Sequence, residues 1–356
     1  MARRLIVWLA LLVAAILTMA PLRAENAATD PARIIAVGDL HGDFGAWRAI
    51  AEAAGLIDGK GSWAGSATTL VQLGDMTDRG PDSLRIIRDL QRLEREAANA
   101  GGKVVVVLGN HEAMNVIGDL RYVHPGEYAA FADRQSERRR EATWRANRER
   151  LEAAYAALDP PVQPEDAKRA WFEVTPLGKL EHRRAWAPGG ELATWAATRP
   201  AVVKIGQVLF VHGGLSSERG MEPIAAINAR IATALAPGDA VDRSVLEDPL
   251  GPLWYRGHLT RTAEEATRPP QQDELAAVLA YHGASRLVVG HTPAVAGIKE
   301  SLGGRLIQVD TGISAHYGGP ASFLEIAGGR VVAHQRNKDG TWTSRELPTV
   351  GEGEQP

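Results

Sequence analysis

The chemistry open to this sequence is concentrated in a few short motifs. Asp39 and His41 stand two apart in Gly38-Asp39-Leu40-His41-Gly42-Asp43, so one loop can present an oxygen and a nitrogen to a shared point. Gly74-Asp75-Met76-Thr77-Asp78-Arg79-Gly80 adds the carboxylate of Asp75, and Gly109-Asn110-His111-Glu112 adds the amide oxygen of Asn110. His212 and His291 follow two further apolar runs and supply imidazoles. Alone, an Asp after a Gly at a strand end is more often a turn former or helix cap than a ligand. Together these residues form a mixed nitrogen and oxygen donor set without sulfur, suited to divalent Mn, Fe, Zn or a similar ion. The six donors Asp39, His41, Asp75, Asn110, His212 and His291 divide into two sites sharing one carboxylate, which predicts a binuclear centre.

Each donor needs an element to hold it. Residues 33–37, 69–73, 104–108, 208–211 and 287–289 are short apolar runs, each ending at one of these motifs, and read as buried strands. Helical patterns at 44–54, 83–98 and 273–282 lie between them, an alternation that predicts an α/β sheet protein. In such sheets ligands gather at the carboxyl ends of the strands, so all five loops would face one place. Asp43 reads as the cap of the first helix. Residues 125–158 are charged and Ala-rich and predict one or two surface helices inserted after the third strand. Arginines between Arg134 and Arg150 alternate there with Glu137, Glu141 and Glu149, the mark of a solvated face rather than a ligand-gathering patch. Pro160, Pro161, Pro164, Pro176 and Pro188 mark a looped stretch that can lie over the site as a lid, and residues 336–356 read as a flexible tail.

Composition narrows the function classes. With 356 residues, 45% of them hydrophobic, the chain can bury one large core or two modest ones. A net charge of −3 gives no basis for a surface that follows nucleic-acid backbones. The chain has no cysteine, which excludes disulfides, thiolate ligands and cysteine nucleophiles. Arg3 and Arg4 precede an apolar run over residues 5–20, which reads as a signal peptide, residues 1–24, cleaved near Ala24. The protein is then exported to the periplasm and makes no stable membrane association; a retained N-terminal anchor is the alternative, since the run approaches the length that spans a bilayer.

The ordered series GDLHGD, GDMTDRG, GNHE, VHGGL and VVGHTP resembles the metallophosphoesterases, and its DRG and NHE details resemble the phosphoprotein phosphatase superfamily. HEAMNVIGDLRYV, TRPAVVKIGQVLFVHGGL, GPLWYRG and VDTGISAHYGG are similar to the Shewanella-like branch of that superfamily, and the match runs over residues 33–334. The resemblance implies an α/β/β/α sandwich of two mixed sheets flanked by helices. It also implies a catalytic domain over residues 25–335, with a helical insertion at about 119–199.

By the same resemblance Asp39, His41 and Asp75 hold a first divalent metal, and Asp75, Asn110, His212 and His291 a second. Two such ions about 3.5 to 4 Å apart trap a hydroxide and bind phosphoryl oxygens, so attack is direct and no phosphoenzyme forms. His111 is similar in position to the family's general acid, with Asp78 to orient it. Arg79 offers a planar fork to phosphate, and Arg256 is a second candidate clamp, with a structural salt bridge as its alternative. Asp119, Arg121 and Tyr122 either meet the non-phosphate part of a substrate or form a buried network. His316, beyond Asp310, can reach the pocket mouth, Trp254 and Tyr255 can line the cleft, and the remaining histidines read as surface or core. The implied function is a metal-dependent phosphomonoesterase of phosphorylated proteins or peptides, phosphotyrosine included. Its alternatives are a hydrolase of small phosphodiesters or dinucleotide polyphosphates and a non-catalytic exported metal-binding module.

Overall fold

The computed structural model describes residues 33–238 and 240–350. In chain order, β1 (Arg33–Val37), α1 (Phe44–Ala53), β2 (Thr69–Gln72), α2 (Ser83–Asn99), β3 (Lys103–Val106) and α3 (Asn110–Ile117) form the first part. The insertion follows as α4 (Pro125–Phe131), α5 (Ser136–Ala156), α6 (Pro164–Val174), α7 (Lys179–Trp186) and α8 (Glu191–Ala196). The second part is β4 (Val202–Ile205), β5 (Val208–Val211), α9 (Ser217–Gly220), α10 (Ile224–Leu235), α11 (Gln271–His282), β6 (Arg286–Val289), β7 (Lys299–Ser301) and β8 (Leu306–Gln308). Three strands close the chain: β9 (Ser322–Ala327), β10 (Arg330–Arg336) and β11 (Trp342–Glu346).

Two mixed sheets stack face to face. One has the order β11-β10-β9-β1-β2-β3, the other β4-β5-β6-β8-β7. Strands β1, β2 and β3 are mutually parallel, as are β5, β6 and β8, while β9 to β11, β4 and β7 pair antiparallel at the flanks. Side chains alternate across a strand. Ile34 and Ala36 accordingly enter the layer between the sheets with Val71, Phe210, Val288 and Leu324, while Ile35 and Val37 meet the helices. The helix α2 buries Ile86, Ile87, Leu90, Leu93 and Ala97, one face of a 3.6-residue repeat. This is the sandwich of two mixed sheets flanked by helices that the motifs imply, and its parallel strands end on the motif loops.

Two segments depart from the sequence reading, the proline-marked stretch and the C-terminal one, while residues 125–158 form the expected helices α4 and α5. The proline-marked stretch is helical over α6 and α7, because Pro164 occupies the first turn of α6, where the missing N–H would have had no partner. Within the insertion, Trp144 of α5 packs on Ala167 and Trp171 of α6, so these helices carry a small core of their own. Residues 336–350 are no loose tail. They complete β10 and add β11, whose residues are mostly exposed on an edge strand and so lack the apolar signature of a buried one. The expected leader, residues 1–24, and residues 351–356 lie outside the described residues. Among the described residues no helix is long and apolar enough to cross a membrane.

Leu347 follows β11, is 3% exposed and belongs to the inter-sheet core. Leu347→Ala should therefore lower unfolding stability by about 2 to 4 kcal/mol in urea titration. A loss below about 0.5 kcal/mol, the range of an ordinary surface substitution, would mean that the C-terminal segment is not packed.

Candidate metal centre

The loops after β1, β2, β3, β5 and β6 meet around Asp75. Its Oδ2 lies 3.8 Å from His41 Nε2, 3.8 Å from His111 Nε2 and 3.3 Å from His212 Nε2. Its Oδ1 accepts the backbone N–H of His111 at 2.9 Å. Two buried triads share this carboxylate, His41 with Asp75 and His111, and Asp75 with His212 and His291; in each, one donor atom per residue lies within 4.8 Å of the others. Asn110 Oδ1 is 2.9 Å from His212 Nε2. Asp39 stands beside the triads, both of its oxygens accepting the His291 N–H at 3.1 Å. All six predicted donors are thus brought together, and His111, not among them, is itself a member of the first triad, where Asp39 was expected.

The imidazoles are set up as ligands. His41 Nδ1–H donates to the Thr77 carbonyl at 2.9 Å and His212 Nδ1–H to the Leu73 carbonyl at 2.7 Å, so both Nε2 lone pairs turn inward. His212 Nε2 then faces Asn110 Oδ1 as acceptor against acceptor, an apposition that a cation between them relieves. His291 Nε2 is buried with no protein partner. These observations fit divalent ions on this donor set. Burial and the neighbouring His111 push the His41 pKa down to about 3, and burial with His212 and Arg256 holds His291 well below its usual value. Neutral imidazoles are what a metal requires. Burial alone would raise the Asp75 carboxyl, but His212, His111 and His41 pull it well below the ordinary range. For Asp39 burial prevails, helped by Asp310 and Asp75, and its pKa rises.

The backbone is strained to achieve this. His41, Asp75, Asp78, Arg79 and His291 have φ of 41°, 52°, 68°, 67° and 65°, five of the seven non-glycine residues with positive φ among those described. Glu112 holds the second loop in that shape. Its Oε2 accepts from the N–H groups of Asp75 and Gly109 at 2.9 and 3.0 Å. Its Oε1 accepts from the N–H groups of Met76 and Thr77 and from Thr77 Oγ1. Gln72 bridges Gly74 and the Gly38 carbonyl.

Next to the donors, His111 Nδ1 lies 2.5 Å from Asp78 Oδ2, and Asn115 steadies the other Asp78 oxygen at 3.0 Å. Burial opposes protonation of His111, yet Asp75 and Asp78 outweigh it and its pKa is raised. Glu127 of the insertion accepts from the Asp78 N–H at 3.2 Å and from Ser83 Oγ at 2.7 Å, with His182 3.3 Å away.

Arg79 lies 3.9 Å over the Tyr122 ring and 3.3 Å from His316, which places His316 at the mouth. Arg256 donates to the His291 carbonyl at 3.1 Å; burial lowers its pKa against the opposing pull of Asp75 and Asp39. No carboxylate among the described residues pairs with it as a salt bridge. Its loop is anchored by Tyr255, whose hydroxyl donates to Glu274 at 2.6 Å, and by Arg261 and Arg268 on the same carboxylate. Asp119 and Arg121 pair with each other at the surface, not in a buried network.

The sequence reading passed over Glu112, Gln72, Asn115, Glu127, His182 and the role of Asp310. Glu112 had a signal, for a Glu at the third position of a helix can reach back to the cap residue's N–H, as it does to Gly109. Asp310 follows the sixth parallel strand, β8, and burial raises its carboxyl to about 6 beside Asp39.

A sandwich whose parallel strands deliver two histidine and carboxylate triads to one point defines a metallophosphoesterase. The sequence pattern of calcineurin-like phosphoesterases matches residues 32–295, and the chain belongs to that family as a metal-dependent phosphatase. It is similar to Shewanella-like protein phosphatase 2 of Arabidopsis thaliana, 31% identical over 80% of this chain and 72% of the relative. It is also similar to Shewanella-like protein phosphatase 1 of Plasmodium berghei, at 27% over 85% and 73%. The crystal structure of a cold-active protein-tyrosine phosphatase from a psychrophilic Shewanella species superimposes with a TM-score of 0.62 at 25% identity, covering 88% of this chain and 80% of that one.

Glu112→Gln replaces an acceptor by an amide that turns N–H toward N–H. It should reduce stability by about 2 to 4 kcal/mol and weaken metal retention. Chemical denaturation and elemental analysis check this, and a variant that melts and loads metal like the parent would remove Glu112 from the role described.

Proposed function

We propose that this phosphatase hydrolyses phosphate monoesters on proteins or peptides, phosphotyrosine among them, at a centre of two divalent ions sharing Asp75. The observation that carries the reading is the Asp75 carboxylate within 3.8 Å of three imidazole Nε2 atoms, with the His111–Asp78 pair alongside. Asp39, His41 and Asp75 would hold one ion and Asp75, Asn110, His212 and His291 the other, as Mn, Fe or Zn. When bound, such ions lower the pKa of an attacking water and neutralise phosphoryl oxygens.

The residues supply the rest. Arg79 and Arg256 approach the centre from two sides and present planar donor forks to the phosphoryl oxygens. His111, protonated and held by Asp78 on Nδ1, turns Nε2 toward the centre and gives its proton to the leaving oxygen as the P–O bond breaks. Water then reprotonates it. The Tyr122 ring beneath Arg79 and the Tyr317 ring 5.4 Å from His41 form an aromatic border that suits an aryl leaving group, in keeping with the tyrosine phosphatase named among the relatives.

His111→Asn should keep its metal content yet slow turnover on phosphotyrosine and phosphoserine peptides by about 100-fold or more, with a smaller loss on 4-nitrophenyl phosphate, whose leaving group needs no proton. Equal losses on all three would remove His111 from the acid role. A parent enzyme that cleaves diadenosine tetraphosphate or bis(4-nitrophenyl) phosphate as fast as any monoester would overturn the substrate class. The leader-like run at residues 5–20 further supports an exported enzyme. Intact mass of protein recovered from the periplasm should match a chain beginning after Ala24; a full-length mass in the membrane fraction would instead mean a retained anchor.

A further inference from the structure

A groove of about 690 Å³ lies against the catalytic cluster, and the reaction derived above does not use it. That volume is in the range of ligand sites. Asp43, Ser314 and Ala315 form a wall common to this groove and to a cavity of about 260 Å³ that His41, Arg79 and His316 line. Whatever enters the phosphate side therefore has the groove as its neighbour.

Its surfaces are of two kinds. Val295, Ile313 and Ala321 provide apolar contact, and Val295 is 57% exposed, a large aliphatic side chain left open to solvent. Arg336 and Lys338, from the end of β10 and the turn after it, bring two exposed cations. Neither cation forms an ion pair with a carboxylate among the described residues. Asp43, the acid in the wall, already accepts the N–H groups of Ala46 and Ala315.

We propose that the groove binds the polypeptide flanking the phosphorylated residue, and that Arg336 and Lys338 select substrates carrying an acidic side chain there. The inference rests on the phosphopeptide reading given above. A phosphorylated side chain seated at the metal centre leaves its own backbone outside, and each further residue extends about 3.4 Å, so the next few residues must cross a surface such as this one. The apolar floor suits backbone and aliphatic side chains, and the cations complement a carboxylate. A second phosphate group is the poorer occupant, because it would have to shed water against Val295 and Ile313 and face Asp43.

The test compares the parent with the Arg336→Ala/Lys338→Ala double variant. The substrates are phosphotyrosine peptides with Glu or Ala placed two to five residues from the phosphorylated residue, and 4-nitrophenyl phosphate. The parent should favour the acidic peptides by about 10-fold in kcat/KM, expressed in KM and shrinking as salt rises. The variant should lose that preference while its rate on 4-nitrophenyl phosphate is unchanged, which also shows that the centre is intact. A parent indifferent to flanking charge, or a variant that keeps the preference, overturns the inference and leaves the phosphatase reading standing. Should the parent cleave 4-nitrophenyl phosphate but no phosphopeptide, the substrate reading fails instead. Fluorescence anisotropy with an unphosphorylated Glu-rich peptide then decides the groove separately: binding lost in the variant supports it, and equal or absent binding overturns it. Competition by diadenosine tetraphosphate that exceeds that of the acidic peptide and disappears in the variant would assign the groove to a polyphosphate, also overturning the inference.

Discussion

A carboxylate that is buried and ionised at once is the constraint around which this protein is organised. Asp75 is 2% exposed, and its charge is tolerable there only where positive charge or N–H meets both oxygens. The backbone N–H of His111 meets one, and the other faces the His111 imidazole, whose pKa is raised, and the point on which the His41 and His212 lone pairs converge, where a divalent ion would be held. That surrounding cannot come from one stretch of chain, since His41, His111 and His212 belong to the loops after three different strands. The sandwich answers the problem by placing parallel strands of both sheets with their carboxyl ends around a single point. Its inter-sheet layer, from Ile34 and Val71 to Phe210 and Val288, is what fixes the distance between the two sets of loops.

Delivery by strand ends is still too coarse for ligands that must converge within a few ångströms. The loops therefore adopt left-handed turns at residues that disfavour them, Asp75, Asp78 and Arg79 among them. Such turns persist only where their N–H groups have fixed acceptors. Glu112 meets that need for Asp75, Met76 and Thr77, and the insertion's Glu127 meets it for Asp78. Two buried carboxylates thus bind backbone, not substrate, and this lets the carboxylates of the motif loops turn toward the centre.

This division explains what could be read in the sequence. The strand ends were legible because a three- to five-residue apolar run that stops at Gly-Asp, Gly-Asn, His-Gly or Gly-His is a local pattern, and the donors sit within it. The second layer was not. Nothing near Glu112 indicates that it reaches N–H groups up to 37 positions away, and nothing near His182 indicates that it packs against Glu127, 55 positions back. The C-terminal strands escaped for another reason. β11 is an edge strand with one neighbour and exposed side chains, so polar composition there marks an edge and not a frayed end. Prolines misled in the insertion because Pro164 opens a helix, a role that composition alone cannot distinguish from a loop.

The insertion also alters how the His111–Asp78 pair is to be understood. Its sequence shows a charged, solvated helix, α5, and that description holds for much of its surface. Yet α4 sends Glu127 beneath Asp78, α7 sends His182 against Glu127, and Arg183 donates to the Asn115 carbonyl at 2.8 Å while Asn115 itself holds Asp78. The His111–Asp78 pair is therefore gripped from two directions, by α3 within the sandwich and by helices outside it. The proposed metal donors are held by the strand ends and Glu112, whereas the proposed proton donor depends on the insertion as well. Sequence change in those helices can then act on the His111–Asp78 pair while the donor set keeps its geometry, a separation that the sheet topology by itself would not provide.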